Sequence, residues 1–164
     1  MIPYVGRLSV EKGVCHLLGC LGEIARLVPG IRVVIIGGGA TRPHLESMLA
    51  ALRAGDLDAA ERSVRAAADP AEARWVDALV AFRRTHPVTR LPWPDVQLLG
   101  HQPEDVVARH LAGADAVVVP SLVREAFPLV VLEALACGTP VLAVRTGGLG
   151  AVLAELAPCA GRAR

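Results

Sequence analysis

Four charged residues carry the chemistry that this sequence could do. Arg7 and Lys12 stand in Gly6-Arg7-Leu8-Ser9-Val10-Glu11-Lys12-Gly13, between a short apolar run and a helix-like stretch. Gly6 allows a tight exit from a strand, and Gly13 opens a helix whose free amides and dipole favour an anion. Arginine can clamp phosphate oxygens bidentately, and lysine acts on them as a point charge. Residue type alone also allows two solvated surface cations. The second pair is acidic. Glu125 follows the strand-like Ala116–Val119 run, and Glu133 sits inside the otherwise apolar Leu129–Cys137 segment. A lone carboxylate on a buried helix needs a partner or a ligand. Two carboxylates eight residues apart can accept hydrogen bonds from hydroxyls, as a sugar and a ribose would offer. A cation from a neighbouring element would serve Glu133 equally well.

The rest of the chain supplies elements that can hold these groups. Strand-like and helix-like stretches alternate. Ile2–Val5, Ile31–Ile36, Val96–Leu99, Ala116–Val119 and Val141–Val144 are short apolar runs that end near Gly or Pro. Val14–Val28, Pro43–Arg53, Pro103–Leu111, Leu129–Cys137 and Leu149–Leu156 carry helical spacing. Near-continuous apolar strands separated by helices predict an α/β fold, a Rossmann-like parallel sheet with helices on both faces. Ligands of such sheets sit at the carboxyl ends of the strands, where the strand order reverses. The Arg7, Lys12 and Glu125 loops all follow strands. Residues 54–94 break the alternation and read as a helical insertion. Its two helices span Gly55–Asp69 and Pro70–Arg84, with Asp69 as N-cap and Pro70 in the first turn. Residues 1–157 then form one domain with a tail over 158–164.

Composition bounds the classes. The chain has 164 residues, 53% of them apolar, enough for a core without staples. Seventeen Lys and Arg against sixteen Asp and Glu leave no global basic field, and 3% aromatics argue against base stacking, so nucleic acid is not an expected partner. The four cysteines form no C-x-x-C pair and read as reduced thiols of a cytoplasmic protein. Glu133 and the Gly138-Thr139-Pro140 break argue against a membrane span through Ala126–Val144. Gly37-Gly38-Gly39 has Arg42 where a dinucleotide fingerprint needs its third glycine. Asp56-Leu57-Asp58 reads as a helix cap rather than a metal site. The histidines lack metal spacing, although His101, following a strand, could approach the cleft.

Taken together, the GRLSVEKG opening, RVVIIGGG, LLGHQPEDVVARHLAGADAVVVPS and EAFPLVVLEALACGTPVLAVRTGG resemble the donor-binding half of a GT-B glycosyltransferase. The closest type is the group 1, mostly retaining family of sucrose-synthase, glycogen-synthase-like and phosphatidylinositol-mannosyltransferase relatives. The likeness covers Tyr4 to Val152 apart from the insertion, and the E-x7-E of Glu125 and Glu133 is its most specific part. It implies a hexosyltransferase donor domain that takes a nucleotide-diphosphate sugar, with retention and without a further cofactor or metal. On this resemblance Arg7 and Lys12 hold the donor diphosphate, Glu125 takes hydroxyls of the transferred sugar, and Glu133 takes the ribose. Backbone amides around Phe127, Pro128 and Leu129 line the diphosphate and sugar, and Gly6 and Gly38 lie against the nucleotide. Three features depart from the family pattern. Pro128 replaces a common glycine and lacks an amide hydrogen. The connection over residues 54–94 is long. The acceptor-binding half that precedes this one in the family is expected to be missing from the chain or supplied in trans, so the chain is expected to hold half a site. The rival expectation is a non-catalytic binding module that uses a Trp75, Leu79 and Phe82 stripe of the insertion against a protein.

Overall fold

A computed structural model describes residues 1–86, 93–125, 129–146 and 150. The elements run β1 (Ile2–Val5), a 3-10 turn (Val10–Lys12), α1 (Val14–Leu27), β2 (Arg32–Ile36), α2 (Arg42–Ala54) and α3 (Leu57–Ala67). A second 3-10 turn (Pro70–Glu72) leads into α4 (Ala73–Thr85), followed by β3 (Asp95–Gly100), α5 (Glu104–Ala112), β4 (Val117–Val119), α6 (Leu129–Ala136) and β5 (Val141–Ala143). The expected last helix, apart from Gly150, and the 158–164 tail lie outside the described residues, as do Phe127 and Pro128.

All strand pairs are parallel. β1, β2 and β3 form one sheet in the order β1-β2-β3, and β4 and β5 form a second ladder. β1 lies beside β4, where the Asp115 amide donates to the Met1 carbonyl at 3.0 Å. The order across the molecule is therefore β3-β2-β1-β4-β5. The chain steps outward from β1 through β2 to β3, then returns to the other side of β1. The parallel arrangement with helices between the strands is the one expected from the sequence. Among the described residues the β1–β4 seam carries no ladder. The reversal of strand order falls at this seam, which makes it the switch point.

Burial follows the sequence pattern in the larger sheet. Val33, Val34, Ile35 and Ile36 of β2 are all buried, as a strand covered on both faces requires. Leu18 and Leu21 of α1 are fully buried against it, and truncating one such leucine costs about 2–5 kcal/mol. A smaller core around Leu111, Val117, Val131 and Ala134 holds α5, β4 and α6 together.

The insertion folds as helices and packs back on α1. Asp56 caps α3 through the Ala59 amide at 2.8 Å, the role expected for the Asp56-Leu57-Asp58 segment. Asp69 and Glu72 close a capping box around the Pro70–Glu72 turn. Gly19 of α1 faces Leu79, and a Cβ there would come within 2.4 Å of its Cδ1. His16 Nε2 meets the Trp75 carbonyl at 3.0 Å. Leu79 is buried, Trp75 is half-buried against the main core, and Phe82 is half-buried and stacked on His86, so the stripe turns largely inward. The contact surface that the binding-module reading needed is thus largely consumed by α1.

Burial lowers the His16 pKa from its ordinary 6.5, against the opposing effect of the Trp75 carbonyl. The folded chain therefore takes up this proton less readily than the unfolded chain, and stability falls as pH drops below about 6.5. Thermal melts on either side of that pH should show the loss, and His16→Gln should flatten it.

Candidate functional site at the β1–β4 seam

The seam is built by two loops that touch. The β1–α1 loop leaves Val5 and returns through the Val10–Lys12 turn. Gly13, at φ 75°, caps this turn and starts α1. A Cβ on Gly13 would lie 1.9 Å from the Pro120 carbonyl oxygen, so only glycine lets this loop close on the one following β4. The Leu122 amide donates to the Glu11 carbonyl at 2.8 Å. On the far side, Gly37 sits at φ 145°, where a Cβ would lie 1.8 Å from the Gly6 carbonyl oxygen, and the Gly6 amide donates to Ile36 at 3.0 Å. The Tyr4 hydroxyl, buried beneath the loop, donates to the Arg7 carbonyl at 2.7 Å. Burial, then the Glu125 charge, raise the Tyr4 pKa, so it stays a neutral donor.

The cations and one acid meet here. Lys12 Nζ lies 3.0 Å from Glu125 Oε1, and both side chains are mostly buried. Arg7 pairs with Glu11 while remaining largely exposed. Burial works to raise the Glu125 pKa, but Ser121, Lys12 and Arg7 outweigh it and hold the carboxyl below its usual range. The Ser121 hydroxyl is buried and has no fully formed hydrogen bond among the described residues, yet it lies close enough to favour the charged carboxylate. Thr146, just past β5, donates to the Val123 carbonyl at 3.2 Å and secures the same loop.

Two clefts flank the Arg7 loop. One, of about 270 Å³, is lined by Gly6, Arg7, Lys12, Ser121, Glu125 and Leu129 among others. The other, of about 430 Å³, is lined by Gly6, Arg7, Gly37, Gly38, His101 and Gln102 among others. Leu129 begins α6 and lines the first cleft, so this helix starts at its edge. The structure thus brings Gly6, Arg7, Lys12, Gly38, Glu125 and Leu129 to one edge. Phe127 and Pro128 lie outside the described residues.

Glu133 departs from expectation. The sequence placed it on a buried helix, whereas it is exposed. Only Val131 and Ala134 of α6 are buried, and Leu129, Leu132 and Leu135 face outward too. An apolar run eight residues long says how hydrophobic a helix is, not whether both its sides are covered. The demand for a buried partner therefore falls away, and Glu133 lines neither cleft. Sequence reasoning also missed Tyr4, Gln102 and the Ser121 contact with Glu125. Among the described residues, no group of three or more His, Cys, Asp or Glu side chains is placed to hold a metal ion, and no helix is long and apolar enough to cross a membrane.

Replacing Gly13 with Ala should separate the two loops and cost ~2 kcal/mol or more, because it adds left-handed strain to a backbone collision. Chemical denaturation measures that loss. Lys12→Met should raise the Glu125 pKa, read by NMR titration of the carboxyl carbon, since it removes a donor and a positive charge together.

Comparison with known proteins places this geometry. The family model described as Glycosyl transferases group 1 matches residues 89–158. The chain is 32% identical over 158 residues to a D-inositol 3-phosphate glycosyltransferase of Segniliparus rotundus, covering 94% of this chain and 27% of that protein. It is 31% identical over 147 residues to a glycogen synthase of Mycobacterium tuberculosis, covering 90% and 26%. The chain thus spans about a quarter of the length of these relatives. Among solved structures, HepE of Anabaena in complex with UDP and glucose superposes with a TM-score of 0.52 at 22% identity, over 90% of this chain and 30% of that one. The pneumococcal O-GlcNAc transferase GtfA in complex with UDP and GlcNAc gives 0.54 at 17%, over 90% and 21%. The parallel sheet, its switch point and these matches agree: residues 89–158 match the group 1 glycosyltransferase family, the similar proteins are glycosyltransferases, and the chain has the Rossmann-like fold of one half of a GT-B enzyme.

Proposed function

We propose that the chain is the donor-binding half of a retaining hexosyltransferase and binds a nucleotide-diphosphate sugar at the β1–β4 seam. The observation that carries this reading is the meeting of Arg7, Lys12 and Glu125 on two loops far apart in sequence, at the strand-order reversal. Arg7 and Lys12 hold the diphosphate, with the first amides of α6 around Leu129 turned toward it. Glu125 accepts hydroxyls of the transferred sugar. The nucleoside lies toward Gly38 in the neighbouring cleft, and the ribose contact expected of Glu133 is not carried over, since that side chain lines neither cleft. As the glycosidic bond to the donor breaks, negative charge grows on the departing nucleoside diphosphate. Fixed cations at that position stabilise the transition state more than the ground state. The acceptor site belongs to the other half, in the same polypeptide or in trans, and the working compartment is the cytoplasm.

The Lys12–Glu125 pair gives this reading a definite electrostatic sign. With no diphosphate bound, Glu125 neutralises Lys12 and keeps the cation oriented toward the cleft. When the donor enters, Lys12 Nζ can face phosphate oxygens and the carboxylate together, since an ammonium has three donors. Removing Lys12 therefore does two things at once: it deletes a phosphate contact and leaves an uncompensated carboxylate beside the anion.

Calorimetry with UDP, GDP and their nucleosides tests the assignment. The intact chain should bind a nucleoside diphosphate weakly. Arg7→Ala should weaken diphosphate binding by about tenfold, and Lys12→Ala by more, while nucleoside binding stays nearly unchanged. Equal losses for both ligands would refute the roles given to the two cations.

A further inference from the structure

We infer that Glu72, in the helical insertion, is a positioning residue for the loop that carries Arg7 and Lys12. Glu72 Oε1 accepts from the Glu11 backbone amide at 3.0 Å, across 61 residues of sequence. Its other oxygen accepts from the Asp69 amide at 3.0 Å, so the carboxylate is fixed at both ends. Glu11 lies in the middle of the Val10–Lys12 turn, directly before Lys12. Its amide is among the first of a one-turn helix, where no preceding carbonyl is available. The insertion supplies the missing acceptor. Glu11 is therefore gripped on both sides of its main chain: Glu72 takes its amide, and the Leu122 amide donates to its carbonyl at 2.8 Å. The Glu11 carboxylate meanwhile pairs with Arg7.

This places the insertion in mechanical contact with the site. The same helices are clamped to α1 through Leu79 on Gly19 and through His16 with the Trp75 carbonyl. Glu72, just before α4, reaches the turn and lines neither cleft. It touches no ligand in this arrangement. Its effect is to fix where Arg7 and Lys12 start from, which lowers the ordering cost of closing both on a diphosphate. The inference rests on the reading of that loop as the diphosphate clamp.

The test compares Glu72→Ala, Glu72→Gln and Asp56→Ala in the full chain. The last removes the N-cap of α3 and loosens the insertion without touching Glu72. Two quantities are measured: amide exchange at Glu11 by NMR, and the affinities for UDP and uridine. Glu72→Ala should speed Glu11 exchange by about tenfold and weaken UDP at least fivefold, leaving uridine within about twofold. Glu72→Gln should restore both values, because its amide oxygen can take the Glu11 N–H while the exposed Asp69 amide turns to water. Asp56→Ala should lower the melting temperature with UDP affinity intact. Unchanged exchange in Glu72→Ala overturns the inference, as does a UDP loss no larger than that of Asp56→Ala. A parent chain that binds neither ligand overturns the donor reading instead, and the exchange rates still report separately whether Glu72 pins the turn.

Discussion

The site depends on one close approach, the packing of Gly13 against the Pro120 carbonyl. It brings together two loops separated by more than a hundred residues of sequence, and everything charged at the seam follows from it. With the backbones in contact, the Leu122 amide reaches the Glu11 carbonyl and Lys12 reaches Glu125. A side chain at position 13 would hold the loops apart, and the cation and the carboxylate would then be solvated separately. The constraint is steric, and its product is electrostatic.

Parallel topology explains why that contact falls where it does. β1 is flanked by β2 on one side and β4 on the other, and the chain reaches these neighbours by opposite excursions. A crevice therefore opens at the seam beside the loop contact. The lack of a ladder between β1 and β4 among the described residues fits this role, because the seam is held by loop contacts and helix packing rather than by strand hydrogen bonds. The insertion lies outside this scheme, yet it reaches the same loop through α1 and Glu72.

Much of this was legible in the residues. The β-branched run of β2, the glycines that end strands, the capping residues Asp56 and Asp69, and the placement of Arg7, Lys12 and Glu125 after strands all followed from local rules of propensity and spacing. What local rules do not carry is pairing across distance. Nothing in the spacing of Lys12 and Glu125 says that they neutralise each other, and nothing around Glu72 says that it caps a turn 61 residues earlier. The burial of Glu133 was misjudged for a related reason. Whether a hydrophobic helix is covered depends on what packs against it, and α6 is covered on one side only. The depth of the insertion's packing was similarly hidden, since an apolar stripe can serve a partner or its own core.

The most direct measurement is a map of amide chemical shifts on adding UDP to the intact chain. Binding at the seam requires the largest changes in residues 6–13 and 121–125, with smaller ones at Gly37, Gly38, His101 and Gln102. Changes confined to α3 and α4, with both seam loops silent, would contradict the site.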